Sequence, residues 1–171
     1  MFQIFIRASA QAVWDEITRT DEPILAFFNN RMHVGKLETG SQLAMRTGDG
    51  KYTGVVGEIL EVIPLKRFSH TFKFTNYDDP PCKVIYDIEE VTDGVNFTLS
   101  IEDLPEGTKT AKSMVQGGKM IIGTLKRVIE TGKPSFGIRM LYGFFKLMAP
   151  FSPKRCLTEN WPINDEPGAK S

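Results

Sequence analysis

Residues 83–104 read KVIYDIEEVTDGVNFTLSIEDL, and this stretch decides the fold. Val84, Tyr86 and Ile88 fall on one face of an alternating run, and Val95, Phe97, Leu99 and Ile101 on one face of the next. Between them, Thr92-Asp93-Gly94 carries the turn chemistry of a hairpin. The pattern predicts two antiparallel strands, each with one apolar face.

Upstream the same grammar repeats. LKRFSHTFKF (65–74), YTGVVGEILEVI (52–63), SQLAMRT (41–47) and MHVGKL (32–37) read as strands, with turn signals at Glu38-Thr39-Gly40 and Gly48-Asp49-Gly50. A polar loop with two prolines occupies 76–81. These six runs imply a meander, and pairing with the opening FQIFIR would make seven strands. Between the opening strand and the meander, Ser9 offers an N-cap to AQAVWDEIT, and Asp21-Glu22-Pro23 starts a second short helix, PILAFF.

Downstream, Pro105 and Gly107 end the sheet region, and the period changes. From about 108 to 130, Met114, Ile121, Ile122, Leu125, Val128 and Ile129 recur at three and four residues, a long amphipathic helix that Gly132 and Pro134 terminate. Phe136–Met148 is apolar on nearly all sides, broken by Arg139 and Lys146. The remaining polar, proline-containing tail is expected to be extended or partly disordered. The fold class is therefore α+β, with a domain over 1–133 and an apolar helix plus extended tail over 134–171.

Composition excludes several function classes. The chain has 171 residues, is 41% apolar and 25% charged, and carries 21 cations against 21 acids. That is globular, and it offers no bulk charge to hold nucleic acid. Two cysteines are too few for a disulfide framework. No apolar run reaches the roughly 18 residues that span a bilayer, and the N-terminus has no basic leader, so no transmembrane segment and a cytoplasmic setting are expected. His33 and His70 are the only histidines, without HExxH or CxxC spacing, so neither a metal nor a cofactor is expected.

The order of strand, two helices, strand meander and long helix resembles the START-like (Bet v 1-like, SRPBCC) superfamily. IFIRASAQAVWDEIT resembles its opening and YTGVVGEILEVIPLKRFSHTF its middle hairpin. GGKMIIGTLKRVIETGKP is similar to the final helix of the branch named for the activator of heat shock protein 90 ATPase, although Lys119 stands where many relatives have tryptophan. The resemblance covers roughly 2–133. It implies a helix-grip fold: a curved antiparallel sheet of six to seven strands around the long C-terminal helix, with an apolar cavity between them. It implies no single chemistry, since the superfamily includes lipid carriers, hormone receptors, aromatase/cyclases and chaperone-binding domains.

Candidate ligand-binding residues follow from the inward faces. Phe68, His70 and Phe72 share a strand face with Phe74, opposite Tyr86, Phe97 and Leu99 on the neighbouring strands. Trp14 and Phe28 would wall the cavity from the short helices; Met114, Gly118 and Ile121 would face it from the long one. His70 could orient a ligand or act as acid or base near neutral pH, or be a core histidine bonded to a carbonyl. Gly117-Gly118 either leaves room for a ligand or lets the helix approach the sheet. Glu58 is inward only if its strand buries Val56 and Leu60 rather than Val55 and Ile59, which periodicity leaves open.

The expected function is binding of a small hydrophobic or aromatic ligand, lipid-like or polyketide-like. One alternative is a cyclase, dehydratase or hydrolase using His70, Tyr86 or Glu58. Another is a chaperone-interacting protein, suggested by the family branch. The Phe136–Met148 surface should be covered, on its own domain or, the favoured arrangement, by a homodimer; for a membrane surface Arg139 and Lys146 alone give little basic support.

Overall fold

The computed structural model describes residues 1–164. Seven strands form one antiparallel sheet: β1 Phe2–Ile6, β2 Arg31–Val34, β3 Gln42–Arg46, β4 Thr53–Ile63, β5 Arg67–Phe74, β6 Cys82–Val91 and β7 Gly94–Glu102. Their order is β1-β7-β6-β5-β4-β3-β2, a meander whose last strand returns to pair with the first. Val91 pairs with Gly94, so Thr92 and Asp93 alone make the β6–β7 turn, with Asp93 in the left-handed region at φ 66°.

Helix α1 spans Ala10–Thr18 and is capped by Ser9, whose hydroxyl accepts from the Ala12 amide at 3.2 Å. It buries Val13, Trp14 and Ile17. The second short helix is a single 3₁₀ turn, Leu25–Phe27, shorter than PILAFF suggests. Phe28 and Asn29 both take left-handed backbone, at φ 57° and 58°, and stop it after one turn.

Helix α2, Lys109–Thr131, lies against β1, β7 and the 3₁₀ turn, and the curved sheet wraps it. Its first turn is satisfied twice over: Thr108 Oγ1 accepts from the Ala111 amide, and Asp79 Oδ2 accepts from Thr110 at 2.9 Å. Gly132 closes it at φ 76°, its amide donating to the Val128 carbonyl. Met114, Ile122 and Leu125 are buried from this helix, in one core with Phe68, Tyr86, Phe97 and Leu99 from the sheet, and Val128 is buried near its C-terminal end. Each large side chain so buried contributes about 1.5–3 kcal/mol.

Helix α3 is Phe136–Met148, capped by Ser135, and none of its residues is buried. Beyond it the chain is more ordered than an extended tail. Two 3₁₀ turns, Lys154–Cys156 and Thr158–Asn160, bring the chain onto the β3–β4 hairpin, where Leu157 bridges Tyr52 and Thr158 donates its amide to the Lys51 carbonyl. Cys156 and Ile163 are buried there. The part of the tail expectation that falls on 165–171 lies outside the described residues. Among the described residues, no helix is long and apolar enough to cross a membrane.

Candidate functional site

The inner face of β5–β7 assembles an aromatic cluster with Tyr86 at its centre. Phe68 stands opposite Tyr86 in the β5–β6 register, and Leu99 opposite Tyr86 in β6–β7. The Tyr86 ring lies 5.4 Å from Phe27, 5.9 Å from Phe68, 5.9 Å from His70 and 6.1 Å from Phe97. The three phenylalanine contacts are stacked and the His70 contact is tilted, arrangements of the kind that hold aromatic cores together. Burial pushes the Tyr86 phenol far above its ordinary pKa, so it stays neutral.

His70 is the polar member of this cluster, and it is 1% exposed. Its placement depends on an opening in the β4–β5 ladder. The Glu58 amide donates to the Thr71 hydroxyl at 2.8 Å, leaving the Thr71 carbonyl to His70 Nδ1 at 2.7 Å. Because a carbonyl only accepts, Nδ1 carries the proton and Nε2 holds a lone pair. Nε2 is buried and has no hydrogen-bond partner among the described residues. Burial lowers the imidazole pKa to about 4, against a smaller opposing effect of the Thr71 carbonyl, so the ring is neutral near pH 7. An unsatisfied buried acceptor among phenylalanines is costly unless something donates to it.

From His70 the rings continue outward. Phe72 is 6.3 Å from His70, Phe74 is 4.8 Å from Phe72, and Tyr77 is 5.6 Å from Phe74. Lys109 Nζ sits 5.8 Å from the Tyr77 ring centre. Lys109 also borders an open cleft of about 540 Å³ at the N-terminus of α2. A half-buried aromatic row thus links the His70 interior to the surface.

The structure brings Phe68, His70, Phe72, Tyr86 and Phe97 together as neighbouring rings, with Leu99 beside them in register. Trp14 and Met114 join the same buried core, and Ile121 packs on it half-buried. Gly118 is buried for another reason: a Cβ there would lie 2.7 Å from two Phe2 ring carbons, so the missing side chain admits β1. Phe28 stands apart, its ring 6.4 Å from Phe145 of α3 and facing Gly117. Neither the cleft at Lys109 nor a second one beside α3 is lined by a residue of the expected ligand set.

The alternative left open for β4 is settled. Val55 and Ile59 point inward, so Glu58 is exposed and stands outside the interior. Two acids of the 76–81 loop make structural contacts: Asp79 caps α2, and Asp78 takes Arg155 of the tail at 2.6 Å. The residues that sequence reasoning missed are Gly57 and Thr71. A Cβ at Gly57 would lie 2.9 Å from the Thr71 carbonyl carbon and 3.4 Å from His70 Nδ1. Among the described residues no cluster of side chains is arranged to hold a metal ion.

A seven-stranded meander closed on its own first strand, wrapped around one long helix, and an inward aromatic face define a helix-grip protein of the START-like class. Within that class the chain belongs to the family described as Activator of Hsp90 ATPase homolog 1-like protein, whose profile matches residues 7–130. No curated protein matches it in sequence. Among solved structures it is similar to CalU16 from Micromonospora echinospora, at 19% identity and TM-score 0.61, over 83% of this chain and 80% of that one. The Aha1 dimer from Colwellia psychrerythraea is similar at 18% identity and TM-score 0.62, over 77% and 96% of the two chains. DynU16, a protein of the dynemicin biosynthetic locus, is similar at 21% identity and TM-score 0.61 over 78% of this chain, which spans only 47% of that protein.

Proposed function

We propose that the protein binds a small hydrophobic or aromatic ligand between the inner face of the sheet and α2. The observation that carries this reading is the buried, unpartnered Nε2 of His70 beside Phe68, Phe72 and Tyr86. The ligand it fits is apolar with one hydroxyl or N–H donor, entering along the Phe72–Phe74 row. DynU16, a putative protein of the dynemicin biosynthetic locus, gives this reading company through its fold alone. Burial of the thiols of Cys82 and Cys156, both free, suits the reducing cytoplasm.

Binding is favoured over catalysis by the same geometry. A base whose conjugate acid titrates at about 4 has little driving force to take a proton near neutral pH, and Glu58 is exposed, so no second buried acid or base faces His70 from that strand. Tyr86, its ring centre 5.9 Å from that of His70, is held neutral by burial and makes no hydrogen bond to Nε2, so the cyclase, dehydratase or hydrolase alternative has no hydrogen-bonded proton-transfer pair among the described residues. The chaperone-partner alternative rests on the family description, and a pull-down against the chaperone tests it separately. Likeness to the Colwellia dimer makes a homodimer one reading, without naming its surface; the exposed Phe136–Met148 helix is the surface such a dimer would be tested against.

The test pairs two probes, 2-naphthol and its methyl ether. The native protein should bind the naphthol about five- to tenfold more tightly, the value of one buried hydrogen bond. His70→Leu should keep the ether and lose the preference. Equal affinities in the native protein, or no saturable binding of either probe, would overturn the reading. Mass spectrometry of small molecules carried through native purification then identifies the natural ligand.

A further inference from the structure

Helix α3 leaves a ridge uncovered that the ligand site does not use. Its inner side is fixed to the domain by Tyr142, whose hydroxyl donates to the Leu25 carbonyl, and by Phe145 against Phe28. On the outer side Phe136, Met140, Phe144 and Leu147 are 75, 62, 56 and 71% exposed, and Phe151 just beyond is 78% exposed. At 3.6 residues per turn the four helical positions lie within about 80° of one another. Arg139 and Lys146, seven positions apart, run along one flank of this ridge.

The charge here is segregated. Residues 131–158 hold five of the chain's 21 lysines and arginines and none of its 21 acids, so a chain of zero formal charge divides into a basic segment and an acidic remainder. Arg155 is paired with Asp78. Lys133, Arg139, Lys146 and Lys154 form no ion pair among the described residues. Next to the start of the ridge, an open cleft of about 480 Å³ is walled by Asn29, Lys133 and Arg139.

We propose that α3 seats the protein on an anionic phospholipid surface. The 13-residue helix, about 20 Å long, lies in the plane of the interface, too short to cross it. Its apolar ridge enters the boundary between headgroups and acyl chains, Arg139 and Lys146 reach the phosphates from the flank, and the Lys133–Arg139 cleft receives a headgroup. A second copy answers the same observations less well. In an antiparallel two-fold pair through this ridge the flanking cations of both copies would meet, and in any pair the segment has no acid to neutralise them. An anionic membrane satisfies the apolar ridge and the unpaired cations together.

The experiment is co-sedimentation of the full-length protein with vesicles of phosphatidylcholine alone and of phosphatidylcholine mixed with phosphatidylserine. Binding should require phosphatidylserine and weaken as salt is raised. Arg139→Glu with Lys146→Glu should reduce partitioning roughly thirtyfold or more. Phe144→Ser with Leu147→Ser should abolish it, and both pairs change exposed side chains, so the melting temperature should hold. Should one pair fail to fold, the other still decides. Binding that ignores lipid charge, an absence of binding to both vesicles, or binding untouched by the folded variants would overturn the proposal. So would a lipid-free dimer that Phe144→Ser with Leu147→Ser converts to monomer, because the ridge would then belong to a second copy.

Discussion

Gly57 and Thr71 face each other across β4 and β5 so closely that a Cβ on Gly57 would overlap the Thr71 carbonyl group, with 2.9 Å to its carbon. That carbonyl is the acceptor that anchors His70 Nδ1. The missing side chain therefore leaves room for the carbonyl that fixes the tautomer of a histidine on another strand. Gly57→Ala should destabilise the protein by about 1–3 kcal/mol, since the obstruction is backbone and cannot swing aside. Gly54→Ala, on the same strand with only the Met45 carbonyl 3.9 Å away, should be neutral or slightly stabilising. Urea unfolding of the two variants checks this, and equal effects would remove the close approach as the cause.

Two glycines of α2 should also part company. Nothing lies within 4 Å of a Cβ built on Gly123, so Gly123→Ala should gain about 1 kcal/mol from helix propensity alone. Gly118→Ala meets the Phe2 ring and should lose most or all of that gain. In a Phe2→Ala background the obstruction is gone, and Gly118→Ala should then stabilise as Gly123→Ala does. A double-mutant cycle with no coupling between Phe2 and Gly118 would show that the ring is not what the glycine accommodates.

Strand alternation was enough to place Phe68, His70, Tyr86 and Phe97 on one inward face, because each strand has one buried side and a period of two. The helix stripe and the Gly132 stop were equally legible, being local. What one strand's periodicity could not show is where two backbones touch. The Gly57–Thr71 approach, the filling of Gly118 by Phe2 and the choice between Val55 and Val56 as the buried side of β4 are all settled by partners distant in sequence. The described part of the tail, to residue 164, departs from an extended segment for the same reason. Its order comes from the β3–β4 hairpin, which its polar composition does not announce.

That docking makes Thr158 a structural residue. Its hydroxyl donates to the Gly50 carbonyl at 2.7 Å and lies 3.1 Å from the Thr53 hydroxyl, which belongs to a fully buried residue. Thr158→Val keeps the shape and leaves these groups unanswered, so it should cost about 1–3 kcal/mol. The loss should appear as faster hydrogen exchange at the Thr158 amide, which donates to Lys51. Unchanged exchange would mean that the tail is held by Cys156 and Ile163 alone.

His70 should also shape the acid limb of the stability curve. Its imidazole titrates at about 4 in the folded protein, against an ordinary value near 6.5 in the unfolded chain. Between those values the unfolded state binds more protons than the native state, so stability rises with pH across this window. The contribution is fully present above about pH 6.5, declines as pH falls, and is exhausted below about 4; the span corresponds to roughly 3 kcal/mol. Glu16 works in the opposite direction. Its folded pKa is raised chiefly by desolvation, so its stabilising effect is present at low pH and lost as pH rises past its unfolded value. The half-buried His33, also lowered mainly by desolvation, adds to the His70 trend. Subtracting the denaturation curve of His70→Leu from that of the native protein cancels these other groups. The difference should slope between pH 4 and 6.5 and be flat on either side. A flat difference throughout would mean that the ring titrates alike in both states, and that its Nε2 is open to water.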